Sequence, residues 1–304
     1  MRPSSYRDVE MSVFGKLLRT LGLSAEASEL PSETAQPLSR FDRFAADNRE
    51  AFALIGALPE QEIVAEERRL ATEVTDILLS LKPLMVEGVS RLEIQEHVLQ
   101  QLDSRQLLPA LVGYKGYPAA VPVSVNAELI SCLPSEKLLP ASALVKVEVV
   151  VSSRKGYGAQ SWTFATPDAS TEQRRLLSAA KEALEQGLRQ MRGGESLGAI
   201  GSAIQEVLDA QGFSAVVEYC GYGMGRQRIQ APQVLGYRVA GRSEPMVAGQ
   251  VLNVQVLAKA GNPHVRVMPN GWNVVAHDRC DAVVVSAMAR VTEEGAERLS
   301  RFVD

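Results

Sequence analysis

The sequence carries the same order of predicted elements twice, and this recurrence restricts the fold more than any other feature. Each copy begins with two helical segments and continues with segments rich in β-branched residues. In the first copy, residues 59–82 have apolar side chains at helical spacing, and Ser90 with Glu93 forms a capping box that begins a helix through about residue 102. Two helices followed by antiparallel strands, twice over, predict an α+β domain with internal pseudo-symmetry. The other predicted helices are 171–192 and 197–211, the latter begun by Ser196, and the predicted strands are 144–151, 157–165, 251–258, 264–268, 273–275 and 282–291.

The N-terminal part of the sequence follows a different pattern. Apolar residues recur at helical spacing between positions 13 and 21, which predicts one short amphipathic helix. Residues 24–39 are rich in Ser, Glu, Ala and Pro, a composition typical of a linker. We therefore expect an extension over 1–58 and a main domain over 59–304. The short helix either packs on the main domain or docks a protein partner or membrane surface, and the sequence leaves both readings open.

Composition excludes several classes of function. The net charge of -4 gives no support for nucleic-acid binding, which usually needs a basic face. No apolar run reaches the length of a membrane span, and charged residues interrupt the N-terminus before a signal peptide could form. The spacing of Cys132, Cys220 and Cys280 fits neither a disulfide framework nor a zinc ribbon. These features predict a cytoplasmic protein with reduced thiols.

Three separated segments carry a resemblance to bacterial type I methionine aminopeptidases, and they occur in the same order as in that family. They are 113–118 (GYKGYP) with 121–126, 218–226 (EYCGYGMGR) with 231–234, and 271–272. The resemblance runs from about residue 60 to the C-terminus. It implies the pita-bread fold, a pseudo-two-fold curved antiparallel sheet flanked by two pairs of helices, with the active site on the concave face.

The resemblance also indicates what has changed at the family's metal site. Working members bind two divalent metals through two Asp, one His and two Glu, because two hard cations about 4 Å apart require bridging carboxylates. The corresponding positions here hold Glu148, Ala159, Tyr222, Gln255 and Ser286. Only Glu148 keeps a carboxylate. We therefore expect no bound metal, no other cofactor and no metallo-aminopeptidase activity.

A carboxylate left alone in this cleft needs a compensating charge. The resemblance places Lys115 where the family has a histidine beside the site, so Lys115 is the expected partner of Glu148. The two side chains would form either a structural ion pair or an acid/base pair, with Tyr222 and Gln255 in the same cavity. Lys115, Glu148, Tyr222 and Gln255 are therefore the candidate catalytic residues.

The family's apolar specificity pocket is better preserved. Its two tyrosines and one tryptophan correspond to Tyr114, Tyr117 and Trp272. These rings either still bind an apolar side chain or belong to the core. The candidate pocket residues are Leu111, Tyr114, Tyr117, Ser131, Trp272 and Ser286.

Two functions follow from this reading. The first is a pseudo-peptidase that binds a peptide N-terminus, a small molecule or a protein partner in the former active-site cleft, with a further protein partner for the N-terminal extension. The second is a metal-independent enzyme, for example in specialised metabolism, that performs cyclisation, elimination or amide chemistry through Lys115, Glu148 and Tyr222. Neither binds nucleic acid or spans a membrane.

Overall fold

Five α-helices lie in the part of the chain that the structure, a computed structural model, describes, namely residues 38–241 and 243–303. The helices are α1 (Arg40–Ala57), α2 (Glu60–Ser80), α3 (Arg91–Ser104), α4 (Thr171–Arg189) and α5 (Gly198–Ala210). The last four confirm the two predicted helix pairs to within a few residues. The predicted short helix near residues 13–21, with its proposed partner, falls outside the described residues. No helix among the described residues is long and apolar enough to cross a membrane.

The predicted capping box is present, whereas the predicted start of the last helix is wrong. The Ser90 hydroxyl accepts a hydrogen bond from the Glu93 amide at 3.2 Å, and the Ser90 amide donates to the Glu93 carboxylate at 2.6 Å. In contrast, α5 has Leu197 as its N-cap and no side-chain cap. Ser196 forms a bridge with Pro245 instead, so its backbone is engaged outside the helix.

The strands pair antiparallel and form three sheets. The strands are β1 (Leu108–Pro109), β2 (Val123–Val125), β3 (Glu128–Ile130), β4 (Leu144–Ser152), β5 (Tyr157–Ala165), β6 (Ser214–Ala215), β7 (Gly221–Met224), β8 (Gln230–Val234), β9 (Val251–Lys259), β10 (Val265–Val267), β11 (Val274–Ala276), β12 (Ala282–Val291) and β13 (Ala296–Arg298). One sheet has the order β1–β4–β2, with β5 also paired to β4. A second has the order β10–β11–β3, and the largest has the order β13–β12–β9–β7–β8, with β6 paired to β9.

The two larger sheets meet where β5 lies against β12, a contact that we call the seam. Side chains supply hydrogen bonds there. The Ser161 amide donates to the Ser286 Oγ at 2.8 Å. The Thr163 hydroxyl donates to the Val284 carbonyl at 2.7 Å and accepts from the Val284 amide at 2.9 Å. The seam therefore joins the two halves into one continuous concave surface.

Helix α1 was not predicted from the sequence. Its N-cap Ser39 and Asp42 form a capping box, and Ile55 is fully buried. The Asn48 side chain donates to the carbonyls of Pro109 and Val112, each at 2.9 Å. The compact unit accordingly begins at Leu38, well before the predicted boundary at residue 58.

Truncation separates the two parts of the N-terminal region. Removing residues 1–37 should leave a cooperatively folded domain, because the chain from Leu38 onward forms a compact unit of its own. Removing residues 1–57 should lower the thermal midpoint by more than about 10 °C, because it uncovers the surface that α1 buries. Circular dichroism melts of the two truncations test this. Equal midpoints would show that α1 contributes little to the core.

Candidate functional site

One row of side chains crosses the concave surface at the level of Glu148. Glu148 on β4 lies opposite Ser161 on β5, and Gln255 on β9 lies opposite Ser286 on β12. Residues opposite each other in antiparallel strands present their side chains to the same face. The Ser161–Ser286 hydrogen bond at the seam joins the two pairs. Four strands thus bring Glu148, Gln255 and Ser286 together.

A second row lies two residues further along the same strands. Ala159 precedes Ser161 by two positions, and its amide donates to the Met288 sulfur at 3.2 Å. Tyr222 lies opposite Asn253, whose side-chain amide donates to the Tyr222 hydroxyl at 3.1 Å. Together, the rows gather all five positions that the resemblance assigned to metal ligands.

The main residue that sequence reasoning missed is Arg228, in the loop between β7 and β8. It is only 6% exposed, and the centre of its guanidinium lies 3.9 Å from the centroid of the Tyr114 ring. Its positive charge acts on Glu148, Tyr222 and Tyr157. Among the described residues, its Nε has no hydrogen-bond partner. Arg228 therefore brings a buried, incompletely bonded cation to the centre of the two rows.

Arg228, rather than Lys115, is the cation that acts on Glu148. Burial raises the pKa of Glu148, and the charge of Arg228 opposes that rise. Lys115 is exposed in a turn with φ 50°, and its ammonium lies 5.7 Å from the Tyr114 ring centroid. The predicted Lys115–Glu148 pair is therefore wrong. The left-handed turn places Lys115 at the surface, a conformation that the motif did not reveal.

The predicted pocket residues form one aromatic wall. The rings of Tyr117 and Trp272 meet edge to face, with centroids 5.1 Å apart. Leu111 and Tyr117 belong to the same buried cluster as Tyr222, and Trp272 packs against it. The Tyr117 hydroxyl donates to the backbone carbonyl of Ser131 at 3.4 Å. The structure therefore brings the wall and the Glu148 row into one site.

Comparison with known proteins decides the family. The model of metallopeptidase family M24 matches residues 64–293. The chain belongs to this family. The methionine aminopeptidase of Haemophilus influenzae is 31% identical over 241 residues, which span 78% of this chain and 90% of that protein. The methionine aminopeptidase of Escherichia coli strain K12 is 32% identical over 234 residues, spanning 76% and 88%.

A solved structure shows the same architecture. The crystal structure of the methionine aminopeptidase from Thermotoga maritima gives a TM-score of 0.77 at 26% identity, covering 81% of this chain and 98% of that chain. The pita-bread fold expected from the sequence motifs is thereby confirmed.

The titratable groups of the M24 cleft have shifted pKa values with a common cause. Burial raises the pKa of Tyr222 to about 12, although the charge of Arg228 opposes the rise. Burial likewise raises the pKa of Cys132 to about 11. Both groups therefore stay protonated at neutral pH, and neither is a ready base or nucleophile. Within the described residues, no group of three or more His, Cys, Asp or Glu side chains could hold a metal ion.

A second carboxyl group, also missed from the sequence, is buried on helix α2. Glu67 on α2 is fully buried, and neither carboxyl oxygen has a hydrogen-bond partner among the described residues. Burial raises its pKa to about 8, and Glu67 in turn contributes to the raised pKa of Tyr157. The signal was present in the sequence, because Glu67 falls between Ile63 and Leu70 on the apolar side of the helix.

Proposed function

We propose that this M24 family member binds a peptide N-terminus, or a small amine that resembles one, in its cleft without a metal ion. The observation that carries the proposal is the buried guanidinium of Arg228, stacked 3.9 Å from the Tyr114 ring centroid and acting on Glu148. It supplies a fixed positive charge at the centre of the site.

The donor set does not fit two divalent metals. Of the side chains at the five ligand positions, only Glu148 offers a carboxylate, and hard dications require several. The Ser286 and Tyr222 oxygens already accept hydrogen bonds from Ser161 and Asn253. These points support metal-free binding.

The remaining groups match the parts of a peptide N-terminus. The Glu148 carboxyl can accept from an ammonium, and the free donors of Arg228 can bind the first carbonyl oxygen. The wall formed by Tyr114, Tyr117 and Trp272 suits an apolar side chain, because aromatic faces provide a large contact area. We therefore favour ligands with a free amine and an apolar first residue.

Elemental analysis, a peptidase assay and calorimetry test this proposal. The purified protein should hold no stoichiometric cobalt, manganese, iron or zinc, should not cleave Met-Ala-Ser, and should bind it more tightly than its N-acetylated form. Arg228→Met and Glu148→Gln should each weaken binding by at least about tenfold. Arg226→Met is the matched control, since Arg226 is exposed in the same loop.

The contradicting outcomes are distinct. Two metals per chain with turnover of the peptide would refute the metal-free reading. Equal affinity for the free and acetylated peptides would refute recognition of the N-terminus. Since Arg228→Met alters a buried position, Arg228→Lys serves as a second variant. It keeps the charge but loses the planar fork and should also weaken binding.

A metal-independent enzyme is the second candidate function. The raised pKa of Glu148 favours it, because a carboxyl group whose pKa is raised by desolvation is a candidate acid or base. The exposed position of Lys115 and the pKa of about 12 for Tyr222 give those residues less support as catalysts. Mass spectrometry of incubated peptide amides and esters would detect turnover, and Glu148→Gln should abolish it.

A further inference from the structure

A second cavity, of about 300 Å³, lies beside the small sheet β10–β11–β3. It shares no lining residue with the cleft side chains described above. Four of its lining residues are basic and one is acidic. These are Arg91, Lys137, Arg266 and Arg279, with Glu128 as the acid. This excess of positive charge stands out in a chain whose net charge is -4.

Strand register places two of these residues on one face of the sheet. Arg266 on β10 lies opposite Val275 on β11, and Val275 lies opposite Glu128 on β3. Residues opposite each other share a face, so Arg266 and Glu128 flank Val275 on the cavity side. This side of the cavity therefore carries a cation and a carboxylate on either side of the apolar Val275.

Arg91 forms a buried part of the cavity. It is 4% exposed, and its Nη1 binds the Glu128 carboxylate at 2.8 Å. The same carboxylate oxygen accepts from the Val125 amide at 2.8 Å, so Glu128 is already engaged. The Nε of Arg91 has no hydrogen-bond partner among the described residues. A buried guanidinium with an unused donor is costly unless a further acceptor binds it.

The other three cations have no partner within ion-pair distance in the described part of the chain. Across residues 38–241 and 243–303, the side chains of Lys137, Arg266 and Arg279 form no ion pair and no hydrogen bond. Arg279 is held in a turn with φ 63°, where its amide donates to the Ala276 carbonyl at 3.3 Å. Since Glu128 balances Arg91, the cavity keeps the charge of these three cations.

We infer that this cavity binds a small phosphate monoester or inorganic phosphate. Guanidinium groups form paired, charge-assisted hydrogen bonds with phosphate oxygens, and a dianion would offset two of the three unpaired positive charges. A volume of about 300 Å³ suits a small molecule. The inference concerns a different cavity from the proposed peptide site and does not depend on it.

Calorimetry on the full-length protein at low ionic strength tests the inference. Inorganic phosphate and phosphoserine should bind with a stoichiometry of about one per chain, and the tighter of the two identifies a free anion or an ester as the ligand. The double variant Arg266→Met/Arg279→Met should weaken binding at least about tenfold. Arg238→Met, which removes an exposed arginine outside the cavity, should leave it unchanged.

Several results would overturn the inference. One is the absence of any heat of binding for either compound up to millimolar concentration. Another is an equal loss of affinity in the double variant and in the Arg238→Met control. Equal affinity for serine and phosphoserine would show that the phosphate group is not recognised. Binding of a polyanion such as heparin without either small phosphate would assign the patch to a charged surface instead. All substituted arginines are exposed, so the variants should stay folded.

Discussion

Replacing Glu67 with methionine should raise the free energy of unfolding at pH 8 to 9 by about 4 kcal/mol. The folded protein holds this carboxyl with no hydrogen-bond partner among the described residues, and burial raises its pKa from 4.5 to about 8. An apolar side chain of similar length avoids the cost of burying the charge. Glu62→Gln is the control, because Glu62 is exposed on the same helix and its change should stay within about 0.5 kcal/mol.

The pH dependence gives this prediction its sign. Between pH 4.5 and 8 the folded state keeps a proton on Glu67 that the unfolded state releases. The favourable contribution of Glu67 to the free energy of unfolding is therefore largest below pH 4.5, and it is lost as the pH rises through 8. Glu67→Gln should flatten the loss of stability over that window in denaturant titrations. An unchanged slope would mean that Glu67 reaches water or a cation in solution.

Replacing Lys146 with methionine should lower the free energy of unfolding at about pH 10, where the buried amine is neutral, by about 1–3 kcal/mol. The Lys146 ammonium is buried on β4 and donates to the carbonyls of Asn126 at 2.7 Å and Ala282 at 3.0 Å. Methionine can fill the space but removes the donor to the Ala282 carbonyl, whereas the Asn126 carbonyl still accepts from the Ala282 amide at 3.1 Å. Lys155→Met, at the exposed turn after the same strand, should change stability by less than about 0.5 kcal/mol.

The pH effect of Lys146 runs opposite to that of Glu67. Burial lowers the pKa of Lys146 from 10.5 to about 7, so between these values the unfolded state holds a proton that the folded state lacks. Its contribution to stability therefore rises with pH from 7 to 10.5 and is lost as the pH falls through 7. Urea titrations across pH 6 to 10 should show this rise in the parent protein and not in Lys146→Met. A rise retained in the variant would assign it to another group.

The sequence predicted the helices and strands that form the site better than it predicted the positions of the charged side chains. The helix pairs, the long strands and the convergence of positions such as Glu148 and Ser286 follow from hydrophobic periodicity and from aligned motifs. Lys115 was misplaced, because a motif carries a residue's position but not the left-handed φ that turns it outward. Arg228 was missed because no motif position called for a cation there. Its role depends on stacking with Tyr114, a contact between segments far apart in the chain.

The N-terminal boundary failed for a related reason. Residues 40–57 fall within the extension predicted over 1–58, although Phe44 and Ile55 pack against the core clusters of the main domain. Helix α1 stabilises the domain through the surface that it covers. That surface is formed by residues more than fifty positions away in the chain, such as Pro109 and Val112. Tertiary contacts of this kind are not encoded in a local window.

The seam has a consequence for substitutions in the cleft. At Ser286 a hydroxyl accepts a hydrogen bond from the backbone of the neighbouring strand, and at Ala159 the backbone donates to the sulfur of Met288. Both contacts join β5 to β12. A substitution at Ser286 or Ala159 therefore alters the junction of the two larger sheets together with the chemistry of the cleft, so ligand preference and stability should change together at these two positions.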